Sequence, residues 1–123
     1  MVTPDSATVA ALLTPLAPGA IAVIALTGPK SREILAAILR APKTDAPIVL
    51  QVGRSRLCRI VDGQEVLDDA IVAILPQGPH EVAEICTHGG VRIAQRVLTL
   101  LAANGAQLID AESFMQRTSP QSN

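Results

Sequence analysis

Phe114 is the one aromatic side chain in a chain of 123 residues, although 49% of those residues are apolar. The interior must therefore be built from Ala, Val, Ile and Leu, a mixture that suits small-residue helices packed on β-branched strands. A chain of this length can bury roughly two thirds of its unfolded surface. One domain with its own core is expected, and no repeat or boundary divides it. The lack of aromatics also removes a class of function. Readers of single-stranded nucleic acid stack bases on aromatic platforms, and Phe114 alone provides none. A formal net charge of −1 leaves no positive footprint for a duplex. No direct nucleic-acid binding is expected.

Cys58 and Cys86 are too few for a disulfide framework. Free thiols in a reducing, cytoplasmic compartment are the expectation. From Ser6 to Pro29 no residue is charged, which superficially matches the length of a membrane span. Thr14-Pro15-Leu16-Ala17-Pro18-Gly19 interrupts that stretch, and proline removes a backbone donor and breaks a helix. No Lys or Arg precedes the apolar part, so a secretory signal is not expected. The stretch reads as two buried strands joined by a turn, with no membrane involved.

Ala7 to Leu13 and Ala20 to Leu26 read as strands, the second apolar on both faces and therefore central. Thr27 is the expected N-cap of a helix with Pro29 near its start, running to about Arg40 with Ile34, Leu35, Ile38 and Leu39 on one face. Pro42 to Pro47 is a loop. Ile48 to Val61 reads as one long or two short strands, with Leu57 and Ile60 inward and Arg56 and Arg59 in water. Asp62-Gly63 signals a hairpin into a return strand from about Leu67 to Leu75. Pro76-Gln77-Gly78-Pro79 is a loop, and Val82 to Cys86 a further strand. After Gly89-Gly90, Val91, Ala94, Val97, Leu98 and Leu101 recur at helical spacing, and Asn104-Gly105 stops the helix. Ala106 to Ile109 is a last strand, followed by a helical turn near Ala111 to Arg117. The expectation is an α/β (α+β) fold: a mixed, largely antiparallel sheet, two main helices and a ferredoxin-like split β-α-β core. Residues 1–117 form the domain, and residues 118–123 a disordered tail.

Leu26-Thr27-Gly28-Pro29-Lys30-Ser31 mimics the end of a phosphate-binding loop. That loop needs glycine before its lysine, so that successive amides turn onto the phosphates, and Pro29 has no amide. No nucleotide is therefore expected, nor any GTPase activity in this chain. Cys86 and His88 fall on one side of a strand, as a nucleophile and its base would. A zinc site needs three or four ligands, and only Cys58 and His80 remain to supply them. A structural cysteine is favoured over catalysis or metal. Arg54, Arg56 and Arg59 read as a solvated face, with an interface to a partner as the alternative.

The segment Glu84-Ile85-Cys86-Thr87-His88-Gly89-Gly90 is the most informative. Paired glycines let a ligand approach the backbone, and amides at the start of the next helix favour an anion. Glu84 and His88, four residues apart, share one face of the strand. A carboxylate so placed can accept paired hydrogen bonds from an amino-pyrimidine ring. A small-ligand site and a purely conformational use of the glycines both remain open.

Together with Thr8-Val9-Ala10-Ala11-Leu12-Leu13-Thr14-Pro15 and Gly19 to Pro29, this segment resembles the tRNA-modification GTPase family TrmE. The N-terminal domain of that family carries Thr-Ile-Ala-Ala-x-Ala-Thr-Pro, a Gly-Arg-Gly turn, a strand closing on Ser-Gly-Pro, and Glu-Ile-x-x-His-Gly-Gly. Leu100 to Ala106, Phe114 and Arg117 continue the match. The resemblance implies a domain similar to the folate-binding domain of aminomethyltransferases. It further implies a homodimer binding formyl-tetrahydrofolate at or near its interface, the folate supplying a one-carbon unit to a wobble uridine. GTP hydrolysis belongs to a separate G domain within a helical domain, and a flavoprotein is the implied partner. On this resemblance Glu84, His88, Gly89 and Gly90 are the ligand contacts, with Glu81 and Gly19 behind them. Arg92 or the helix-start amides would meet the glutamyl end of the folate.

The departures are specific. Ala17-Pro18-Gly19 lacks the arginine of the family turn, and Ala25 stands where the family has arginine on the following strand. Gln77 to Glu81 shortens a loop that carries two acids in the family, and Ala111-Glu112-Ser113 replaces Pro-Gly-Glu. The expected function is a folate-binding, dimerising module for tRNA wobble-uridine modification. The alternative is a structural dimerisation module that has lost folate.

Overall fold

A computed structural model describes residues 7–77 and 80–119. In chain order the elements are β1 (Val9–Leu12), β2 (Ala22–Thr27), α1 (Ser31–Ile38), β3 (Leu39–Arg40), β4 (Ser55–Asp62) and β5 (Glu65–Gln77). They are followed by β6 (His80–Thr87), α2 (Val91–Ala103), β7 (Gln107–Leu108) and α3 (Ala111–Thr118). The strands form one seven-stranded sheet in the order β3-β4-β5-β6-β2-β1-β7. Every neighbouring pair is antiparallel except β1 and β7. Following these directions along the sheet, β2-α1-β3 and β6-α2-β7 are both parallel crossovers that pass over intervening strands. The split β-α-β pattern therefore occurs twice.

The two main helices share one face of the sheet. Ile34, Leu35 and Ile38 of α1 and Ala94, Val97, Leu100 and Leu101 of α2 join Ile24, Leu26, Cys58, Ile60, Val72, Ile74 and Ile85 in the main core. No aromatic ring is part of it, so its volume comes from β-branched strand residues meeting leucines on the helices. Phe114 instead anchors α3 on the opposite face, against Val9, Ala11, Ala25 and Val82. The helical turn expected near Ala111 is thus a full helix, capped by Asp110, whose carboxylate accepts from the Ser113 amide at 2.7 Å. Thr118 is its last residue and is buried, so the ordered unit extends one residue beyond the expected boundary. Residues 1–6 and 120–123 lie outside the described residues.

Four local expectations are corrected. Thr27 does not cap α1: it ends β2, and its hydroxyl donates to the Glu81 carbonyl at 2.7 Å. The helix starts at Ser31, and Thr8 Oγ1 accepts from the Lys30 amide at 2.8 Å, so the contact at the helix start comes from a residue just before β1. Leu39 belongs to β3 rather than to the helix. Leu57 is 49% exposed while Cys58 and Ile60 are buried, because period-2 alternation cannot bury both Leu57 and Ile60. The register shifts between Ile60 and Val61, which face Asp68 and Val66, leaving Leu67 as an extra residue of β5. Pro76 and Gln77, expected in a loop, extend β5; residues 78 and 79 lie outside the described residues. No helix among the described residues is long and apolar enough to cross a membrane.

Candidate functional site

Alternation along β6 divides the candidate residues between two environments. Ala83, Ile85 and Thr87 are buried on the helix side, whereas Glu84 and Cys86 point to the opposite face and are half-buried. Helix α3 covers that opposite face only over β1, β2 and the first part of β6. Beyond it no described residue covers the sheet. Directly opposed residues share a face, so Leu57, Ile71, Cys86 and Val23 form one row across four strands. Leu57 is 49% and Ile71 39% exposed. The neighbouring row is Ser55, Ala73, Glu84 and Ala25. On the far side of the apolar row lies the Arg59–Asp69 ion pair, at 3.2 Å.

Glu84 therefore sits between two alanines on an apolar sheet face, with no hydrogen-bond or ion-pair partner among the described residues. A half-buried carboxylate in such surroundings loses water without gaining donors. On the Ala73 side there is room above it for a flat ring with N–H donors, while Ala25 on the other side lies beneath α3. Burial first, and the Glu84 charge second, push the Cys86 thiol above its ordinary value. Cys58 lies on the helix side, and burial raises its thiol to about 11 against a smaller lowering by Arg56. An activated nucleophile needs the opposite shift. No three His, Cys, Asp or Glu residues cluster as metal ligands among the described residues.

At the end of β6, His88 is exposed and Gly90 is the N-cap of α2 with φ +89°, a conformation that only glycine adopts freely. Gly89 is closely packed. A Cβ there would lie 2.5 Å from Ile93 Cγ1 and 2.6 Å from Asp68 Oδ2. Gly90 thus has a conformational reason to be there, and Gly89 a steric one. Asp68, opposite Ile60 on β5, brings its carboxylate against the start of α2, where a negative charge is favourable.

The remaining candidates separate. Glu81 stands near the other end of β6, about 23 Å of strand from His88 at about 3.3 Å per residue. Its carboxylate pairs with Arg32 at 3.1 Å. Gly19, with φ +77°, lies in the connection before Ala22, which pairs with Thr87, so that connection is at the His88 end. Arg92 belongs to the helix layer and lines a groove of about 610 Å³ with Asp62, Arg96 and Thr99, whereas Glu84 points to the opposite face. The arginine stripe also divides. Arg59 pairs with Asp69, and Arg56 Nη1 donates to the Val49 carbonyl at 3.3 Å. Sequence reasoning missed Asp68, and no local signal pointed to it, because its role depends on the register of β5.

The family described as GTP-binding protein TrmE N-terminus matches residues 8–120. Among curated relatives, the tRNA modification GTPase MnmE of Nitratidesulfovibrio vulgaris (strain DP4) is 34% identical over 119 residues, covering 89% of this chain and 25% of the relative. The tRNA modification GTPase MnmE of Bacillus pumilus is 32% identical over 117 residues, with 89% and 25% covered. That of Caldicellulosiruptor saccharolyticus is 30% identical over 115 residues, again with 89% and 25% covered. The chain spans about a quarter of the length of these relatives.

Proposed function

The chain belongs to the family of TrmE N-terminal domains, and on that premise we propose that it is a folate-binding, dimerising module of a tRNA modification GTPase. Formyl-tetrahydrofolate is the ligand, held on the Glu84 face of the sheet. The observation that carries this reading is Glu84, a half-buried carboxylate with no partner among the described residues, set between Ala73 and Ala25. It suits the paired N–H donors of a pterin ring, and Ile71 beside it supplies apolar contact. The folate brings the one-carbon unit, and the residues of this chain bind and orient it. GTP hydrolysis and contact with tRNA and a flavoprotein are assigned to other parts of the assembly.

Titration calorimetry with formyl-tetrahydrofolate tests the ligand. Glu84→Gln keeps the size of the side chain but cannot accept two hydrogen bonds with a negative charge. Hydrogen bonds to a charged group contribute about 1.5–3 kcal/mol each, so affinity is expected to fall at least about tenfold with unchanged thermal stability. Wild-type protein that gives no heat at millimolar folate would overturn the folate reading.

One observation favours dimerisation independently: among the described residues, nothing covers the apolar row Leu57, Ile71, Cys86 and Val23. A second copy laid over this face buries the row and encloses the ligand between two sheets. Ile71→Glu places a charge at the centre of the row. Sedimentation equilibrium is expected to show a dimer for the wild type and a monomer for the variant. A dimer without folate binding would leave the purely structural reading standing, and a wild-type monomer at high concentration would remove dimerisation altogether.

A further inference from the structure

The geometry points to a phosphate-binding site at the start of α1, in which Ser31, the first-turn amides and the guanidiniums of Arg32 and Arg117 receive the phosphate group of a small anion. The hollow there has a volume of about 350 Å³. The Thr27-Gly28-Pro29 turn forms one wall, the first turn of α1 a second and the start of β6 a third, and Arg117 of α3 closes it. Thr27 ties two of these walls together, because its hydroxyl donates to the Glu81 carbonyl at 2.7 Å. The site lies at the Glu81 end of β6, away from His88, and does not depend on folate.

Ser31 is only 7% exposed, yet it lines the hollow and its hydroxyl has no hydrogen-bond partner among the described residues. A buried hydroxyl left without a partner is costly, and an oxyanion in the hollow would satisfy it. Helix α1 has eight residues and no side-chain cap. Thr8 Oγ1 takes the Lys30 amide and the Gly28 carbonyl takes the Ser31 amide. The Arg32 and Glu33 amides remain as the open donors of the first turn, and such donors favour an anion. Guanidiniums add fork-shaped donors that match phosphate. Arg32 is fixed by Glu81 at 3.1 Å and by the Leu50 carbonyl at 2.9 Å, and Arg117 by the Ala7 carbonyl, so both are positioned before a ligand arrives. Glu81 is the one carboxylate lining the hollow among the described residues, and Arg32 meets its charge.

The chain order agrees with this assignment. Leu26 to Ser31 joins a strand to a helix as a phosphate-binding loop does. Pro29 removes an amide that cradling a polyphosphate requires, so a single phosphate group fits where a nucleoside triphosphate does not. The volume is at the lower end for small-molecule sites. It holds a phosphate and a short organic group, with His80 and Glu81 as polar contacts for the latter.

The test titrates inorganic phosphate and glycerol phosphate into isotope-labelled wild type, Ser31→Ala and Ser31→Asp, following amide resonances, with sodium chloride at matched ionic strength as the reference. Thermal melts confirm that each protein folds. In wild type both anions are expected to shift the Arg32 and Glu33 amides and to saturate in the millimolar range, whereas chloride does not. Ser31→Ala loses one hydrogen bond to a charged group and should bind about tenfold more weakly. Its melting temperature should not fall, because that hydroxyl bonds nothing else. Ser31→Asp puts a carboxylate into the hollow. It should melt at or above wild type, since an acid in the first turn of a helix is favourable, and bind neither anion. Tighter binding of the ester supports the site with a phosphate monoester as its ligand, and tighter binding of inorganic phosphate supports it with free phosphate. Shifts that never saturate, that spread over the whole surface, or that are equal in all three proteins overturn the site. Folate binding at Glu84 is expected to be the same in all three, so the two readings fail separately.

Discussion

Replacing Gly28 with alanine is expected to be strongly destabilising for this fold. Gly28 has φ +130°, and a Cβ there would lie 2.4 Å from Thr8 Cα, 2.8 Å from the Ala7 carbonyl oxygen and 2.9 Å from Thr8 Oγ1. The first two are backbone atoms, so no side-chain rotation relieves the clash. Thr8 cannot retreat without cost, because its hydroxyl caps the start of α1 and its carbonyl accepts from Gln107 at 2.8 Å. Backbone strain of about 1–3 kcal/mol adds to an overpacking cost of about 1–3 kcal/mol. A loss of about 2–6 kcal/mol is expected, against a total of about 5–15 kcal/mol for a domain. In urea this lowers the unfolding midpoint by about 2 M, given slopes of about 1–3 kcal/mol per M. Gly63→Ala is the control: φ is +63° there and nothing lies within 4 Å, so the expected loss is only about 1–2 kcal/mol. Equal midpoints for the two variants would show that the β1–α1 contact does not constrain the fold.

That contact also marks the limit of what the sequence reveals. β2, the Asp62-Gly63 hairpin and the stop of α2 at Asn104-Gly105 were legible because each is decided by residues next to one another. The cap of α1 was not, since Thr8 reaches Lys30 across 22 positions and the nearer Thr27 offered a plausible local alternative. Leu57 and Ile60 differ in parity, so alternation cannot bury both, and the extra Leu67 in β5 has no sequence signature. The same division holds at the candidate site. Period 2 correctly separates Glu84 from Ile85 and Thr87. It cannot show that Arg32 ties up Glu81, or that Asp68 stands against Gly89, because both depend on which strands become neighbours. Family resemblance supplied the folate hypothesis, but it grouped residues that the fold divides between two faces and two ends of the sheet.

Phe114→Ala tests how the uncovered face is bounded. α3 has eight residues, too few for a helix to persist in water on its own. It is held by Phe114 at 2% exposure against Val9, Ala11, Ala25 and Val82, and by Arg117, which donates to the Ala7 carbonyl. Removing a buried phenylalanine costs about 3–5 kcal/mol, and here the small residues around it cannot collapse to fill the gap. The variant is expected to lose about that much stability in urea and to be cut by trypsin at Arg117 well before the main sheet unfolds. Phe114→Leu, which keeps most of the apolar volume, is expected to cost less and to protect Arg117. The consequence reaches the ligand face, because Ala25 lies beneath α3 and directly beside Glu84. With α3 undocked, one wall next to the carboxylate opens to water, so folate affinity is expected to fall even though no ligand contact has been changed. Unchanged folding and cleavage in Phe114→Ala would mean that α3 is held by its polar contacts alone, and the ligand face would then be bounded without help from the one aromatic ring in the chain.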